Sequence, residues 1–183
     1  IVDDSLYLRE YAKVFAWGMT KAEDLEAIRT YYSLLSFVNE GEGATRLVYL
    51  NRYGLDDASI QHLPQRPENL AYTDCMVKAA RDGQGAPECM MACLPCMVSY
   101  QWIFQRLLQQ YPNVRQTPFW PLVRDYTSDA YEQACQSWLA YTDRICQDLD
   151  TERKAQCSEI FRECSLHELH FWEMSLQPRT DLP

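Results

Sequence analysis

Apolar positions along this chain return at steps of three and four almost from its first residues. Asp4, Tyr7, Leu8, Tyr11, Phe15 and Gly18 keep that spacing, which predicts an opening helix. A second helix is expected from about Ala22 to about Tyr53, through Leu25, Ile28, Tyr32, Leu35, Val48 and Leu50. Gly54 is placed to cap its end, and Gly41 and Gly43 weaken its middle. Leu55 to Pro67 reads as the longest loop, and Glu68 to about Arg81 as a third helix stopped by Asp82, Gly83 and Gly85. Pro87 opens a fourth helix that runs to about Tyr111, before Pro112, with Glu88 suited to the positive end of its dipole. A short segment spans Phe119 to Tyr126. Ser128 and Asp129 start a helix to about Leu149, and Thr151 to about Leu176 forms another. No stretch alternates apolar and polar residues between turn signals, so the pattern predicts an all-α bundle.

Length changes this picture little: 183 residues, 47% of them hydrophobic, suit one domain with a sizeable core. The apolar runs are too short to span a bilayer, and acid at Asp3 and Asp4 stands where a signal peptide is basic. The net charge of -9, with no segment rich in Lys and Arg, argues against a nucleic-acid partner. Eight cysteines in a chain this long and this apolar read as reduced thiols, which implies the cytoplasm.

Two helical stripes carry candidate chemistry. On the fourth helix Cys89, Cys93, Cys96, Tyr100, Ile103 and Leu107 share a face, with Pro95 just before Cys96. A proline there frees the Met91 carbonyl and bends the backbone under a thiol. Cysteines also pack cores well, so the stripe alone reads first as core. On the last helix Cys157, Ile160, Cys164, Glu168 and Phe171 share a face, which sets a carboxylate in an apolar row. A carboxylate so placed is expensive unless it is paired or protonated. Desolvation is expected to raise its pKa against any tyrosine hydrogen bond that lowers it. Asp4 above Tyr7 and Tyr11 repeats the arrangement on the first helix, where solvation of the carboxylate is the simpler account.

Other motifs fail. Cys93 and Cys96 have thioredoxin spacing but lack the βαβ setting. His167 and His170 are three apart, where the zinc-protease motif needs four. The residues three before His62, His167 and His170 are Ser59, Cys164 and His167, which leaves no di-iron Glu-x-x-His pair. Glycine-rich phosphate loops and zinc-finger spacings are absent as well.

Read in order, four pieces resemble the TenA, or thiaminase II, family: the run from Asp4 through Tyr7 to Ala16, Asn69 to Asp74, Leu94-Pro95-Cys96 with Tyr100, and Glu168 with Phe171 and Trp172. The resemblance implies a haem-oxygenase-like fold without haem, no metal or organic cofactor, and a homotetramer. It implies hydrolysis of aminopyrimidines, including thiamin, to the hydroxymethylpyrimidine in thiamin salvage. Cys96 would be the nucleophile and Glu168 the acid and base. Asp4 would hold the amino edge of the pyrimidine, Tyr7, Tyr100 and Tyr126 would hydrogen-bond in the pocket, and Tyr72 would pack on the ring. The family pattern has a further helix before Ile1 and Gln where Asp3 stands, so an N-terminal helix is expected to lie outside this sequence. Met97 and Val98 replace the aromatic residues usual after Pro-Cys. A related hydrolase of another amine or a formylaminopyrimidine, or a non-catalytic pyrimidine-binding bundle, remain the alternative readings.

Overall fold

A computed structural model describes residues 1–37 and 43–182, and among them it holds helices and no strand. Within these residues nine α-helices follow in order: α1 Val2–Lys21, α2 Leu25–Phe37, α3 Gly43–Arg52, α4 Asp57–Ile60, α5 Pro67–Asp82, α6 Ala86–Gln110, α7 Trp120–Tyr126, α8 Asp129–Cys146 and α9 Thr151–Ser175. A 3₁₀ turn, Pro112–Gln116, links α6 to α7. The helix ends follow local chemistry. Pro67 and Pro87 occupy first turns, where a missing N–H is harmless, and the side chains of Ser128 and Asp150 accept from Tyr131 N and Arg153 N.

The stretch expected as one helix from Ala22 to Tyr53 holds α2 and α3, and residues 38–42 between them, with Gly41 of the pair expected to weaken it, lie outside the described residues. Of the apolar positions that carry its period, Leu50 is buried and Leu35 packs against the core, whereas Leu25, Ile28, Tyr32 and Val48 are exposed. Tyr31, Leu34 and Tyr49 are buried as well. Apolar residues lie on both sides of α2, so a period alone does not pick the inward one. Gly54 does close α3, at φ 70°, with its N–H donating to Asn51 O. The loop after it holds the single turn α4, closed by Asp56 and Ser59 in a reciprocal capping pair. At the far end α8 stops at Cys146, three residues before the expected Leu149.

Helix α6 runs through the middle of the bundle, packed on α9, α8, α5 and α1. Its first half is buried all round, from Pro87 to Met97, save half-buried Met91. Beside it, Tyr7, Tyr11, Phe15 and Trp138 form a ladder of rings at centroid distances of 5.2, 5.0 and 5.5 Å. Such pairs add about 0.5–1.5 kcal/mol each beyond area burial. Tyr11 Oη donates to Cys93 O at 3.0 Å, which ties α1 to α6 one turn before Cys96. Lys21, at the end of α1, donates to the Ala80, Arg81 and Gly83 carbonyls and so closes the C-terminus of α5.

Helices α1 and α2 meet at Gly18. A Cβ there would overlap the ring of Tyr31, which is fully buried and donates to Ala86 O at 2.9 Å. Gly18→Ala is therefore expected to destabilise the protein by about 1–3 kcal/mol despite the better helix propensity of alanine. Thermal unfolding of the variant measures this, and an unchanged midpoint would contradict the close packing.

Candidate active site

Four helices bring the chemistry together. Tyr7 comes from α1, Tyr72 from α5, Cys96 from α6 and Glu168 from α9, each facing inward on its own helical stripe. Tyr72 Oη donates to Glu168 Oε2 at 2.8 Å. The Tyr72 ring lies 5.1 Å from that of Tyr7, whose hydroxyl approaches the Met76 sulfur at 3.5 Å. Cys96 is 9% exposed and lies within electrostatic reach of both phenols. Burial pushes both tyrosines up, and the negative charge of Cys96 or Glu168 would push them further. They are hydrogen-bond donors that do not ionise near neutrality.

Glu168 is 5% exposed, and burial lifts its carboxyl from an ordinary 4.5 to about 7. The Tyr72 hydrogen bond pulls the other way, and the Asp4 charge adds to the rise. Tyr72 thus has a second contact beyond the ring packing expected of it. His167 stacks on its outer side at 5.8 Å. Asp4 is half-buried, its carboxyl also raised by desolvation, and Phe171 sits 5.7 Å from Tyr7. A cavity of about 540 Å³ opens beside Asp4 and Phe171, also lined by Tyr49, Leu50, Arg66 and Arg179. Another hollow, of about 460 Å³, touches Glu168, Pro95 and Trp172 between α6 and α9.

Tyr100 and Tyr126 belong to a neighbouring aromatic cluster. Their rings are 5.0 Å apart, Tyr126 stacks on Phe104 at 4.8 Å, and Tyr100 lies 5.2 Å from Trp172. Trp172 lines the hollow that also touches Glu168, which sets this cluster beside the site.

Several residues of the site were not singled out by sequence reasoning. Asp3 is buried, and accepts from Arg66 Nη2 and Arg179 Nη1, both at 2.7 Å. Asn69 Nδ2 donates to the Asp3 carbonyl at 2.8 Å. Together these fasten the start of α1, under Asp4, to α5 and to the segment after α9. Arg66 and Arg179 lie outside helices, so no periodicity marks them. The Trp172 indole Nε1 is buried without a partner among the described residues, and it borders the hollow that reaches Glu168. In the sequence Trp172 stands out only through the family resemblance, in the piece with Glu168 and Phe171. No group of three or more potential metal ligands occurs among the described residues.

Residues 1–178 match the TENA/THI-4/PQQC family, and the chain belongs to it. It is 30% identical over 179 residues to an aminopyrimidine aminohydrolase of Helicobacter pylori, covering 97% of this chain and 81% of that protein. An aminopyrimidine aminohydrolase of Halalkalibacterium halodurans is 29% identical over 177 residues, covering 96% and 78%. In fold it is similar to a TenA family transcription regulator from Silicibacter sp. TM1040, with a TM-score of 0.84 at 21% identity over 97% of this chain and 80% of that one. A TenA homologue from P. horikoshii OT3 gives 0.78 at 22% identity, over 94% and 78%. The fold is the all-α, haem-oxygenase-like bundle that the sequence led us to expect.

The raised Glu168 carboxyl makes stability depend on pH. Folded, it keeps its proton up to about 7, whereas unfolded it loses it near 4.5, so the native state holds the extra proton between these values. Its contribution is whole below about 4.5 and is lost as pH rises through about 7. Gln at this position does not ionise. Glu168→Gln should therefore gain stability relative to the native chain from about pH 5 to about pH 8, by up to about 3 kcal/mol. Denaturant unfolding at the two pH values measures it, and a difference that shrinks with rising pH would refute the buried-acid assignment.

Proposed function

We propose that this protein hydrolyses aminopyrimidines, 4-amino-5-aminomethyl-2-methylpyrimidine and thiamin among them, to the hydroxymethylpyrimidine, with Cys96 as nucleophile and Glu168 as proton shuttle. The observation that carries the reading is a buried carboxyl lifted to about 7 and hydrogen-bonded to Tyr72, whose phenol lies within electrostatic reach of the Cys96 thiol. The names of the relatives support the same reaction class. A group with a pKa near 7 both gives and takes a proton at little cost at physiological pH.

In the proposed cycle Glu168 protonates a ring nitrogen of the pyrimidine, and the Cys96 thiolate adds to the ring carbon made electron-poor by that proton. Expulsion of the amine, or of the thiazole of thiamin, from the exocyclic methylene leaves an unsaturated centre. Water adds there, the proton returns to Glu168, and loss of Cys96 restores the aromatic ring. Asp4 holds the amino edge, Tyr7, Tyr100 and Tyr126 donate hydrogen bonds, and Tyr72 packs on the ring while holding Glu168. The scheme needs no metal or organic cofactor. The proposal extends to the cytoplasmic homotetramer implied by the resemblance, and exposed Trp102 on α6 with Leu166 and Leu169 on α9 supports self-association. A binding or regulatory bundle needs no nucleophile beside a proton donor, so catalysis is the better account.

Cys96→Ser should lower turnover at least about a thousandfold while the protein stays folded. Near-normal turnover would sink the covalent mechanism. Glu168→Gln should keep product binding within about tenfold and lower turnover by about a hundredfold or more. If calorimetry finds that this variant no longer binds the pyrimidine product, Glu168 is a recognition group and the shuttle role fails.

A further inference from the structure

A second pair of thiols lies behind the site. Cys75, one turn after Tyr72 on α5, and Cys164, one turn before Glu168 on α9, have their sulfurs 3.9 Å apart. The two are unlike in surroundings. Cys164 is fully buried, whereas Cys75 is half-buried and borders a hollow of about 430 Å³ lined also by Lys78, Ala79, Asp82, Ile160 and Glu163. We propose that Cys75 and Cys164 form an oxidation site, at which a small peroxide enters the hollow, is attacked by Cys75, and leaves the two helices joined by a disulfide.

The direction of attack follows from access. Cys75 borders the hollow, whereas Cys164 is fully buried behind it, so a peroxide in the hollow meets Cys75 first. The contact between the two sulfurs draws the Cys75 thiol below its ordinary range and, with burial, pushes Cys164 up. Cys75 therefore attacks as its thiolate, and the buried Cys164 is kept in reserve. The Cys75 thiolate attacks one peroxide oxygen, the O–O bond breaks, and hydroxide leaves and takes up a proton as water. Cys75 is then a sulfenic acid. Cys164 gives up its proton and attacks the Cys75 sulfur, the S–O bond breaks, and a second water leaves. Two thiols lose two electrons in all, and one peroxide becomes two waters. Closing the bond needs the sulfurs to approach from 3.9 Å to about 2.05 Å, a shift within reach of side-chain rotation with small helix adjustment. The bridge would lie one turn from the Tyr72–Glu168 hydrogen bond on both helices.

The test uses reduced protein, stoichiometric hydrogen peroxide and no substrate, so it stands apart from the catalytic reading. Non-reducing digestion and mass spectrometry should find a Cys75–Cys164 linked peptide as the main bridged product, reversed by dithiothreitol. In Cys164→Ala, dimedone should trap a sulfenic acid at Cys75. In Cys75→Ser, altered at the less buried partner, Cys164 should stay a free thiol at the same peroxide dose. Accumulation of Cys75 sulfinic acid without a bridge in the native chain, absence of the dimedone adduct, or equal oxidation of Cys164 without Cys75 would each overturn the proposal.

Discussion

The hydrogen bond from Tyr72 to Glu168 is the contact around which the rest of the site is arranged. It joins α5 to α9 across the face of α6 that bears Cys96, and it sits where water is scarce. A carboxylate in such a place calls for a counter-charge, or else for a proton. The bundle meets that demand in different ways at different acids. Asp3 has two guanidiniums, from Arg66 and Arg179, and Glu88 has Arg153 at 2.8 Å together with the Gly85 N–H at the start of α6. Glu168 has only a neutral phenol, and burial, opposed in part by that bond, lifts its carboxyl to about 7.

This contrast separates framework from chemistry. The paired acids lock helix ends: Asp3 fixes α1 to α5 and the segment after α9, and Glu88 fixes the start of α6 to the start of α9. With both ends of the bundle tied, the ring ladder of Tyr7, Tyr11, Phe15 and Trp138 fills the middle, and its first ring, Tyr7, stands within electrostatic reach of the buried Glu168. Desolvation, the largest cause of the raised carboxyl, is thus a property of the whole fold.

Much of this was legible in the sequence because helical periodicity is a local signal. The stripes that run through Cys96 and Glu168 are inward on α6 and α9, and Pro87, Ser128 and Gly54 mark ends that local chemistry enforces. What the sequence hides depends on contacts between distant segments. In α2 apolar residues occupy both the exposed and the buried side, so a period through Leu25 and Tyr32 does not reveal that Tyr31 and Leu34 are the buried residues. The Asp3–Arg179 pair spans 176 positions and involves a residue beyond the last helix, where no period exists to mark it. The Cys75–Cys164 pair joins two helices whose relative height no one-helix pattern specifies.

The central claim is that burial, opposed only in part by Tyr72, leaves Glu168 exchanging its proton near neutrality. Titration of that carboxyl in the substrate-free protein, by carboxyl-carbon NMR with Glu168→Gln to assign the signal, addresses it directly. A midpoint near 7, rising further in Tyr72→Phe as the hydrogen bond to the charged form is lost, is the predicted result. A midpoint near 4.5, or a fall in Tyr72→Phe, would contradict the account.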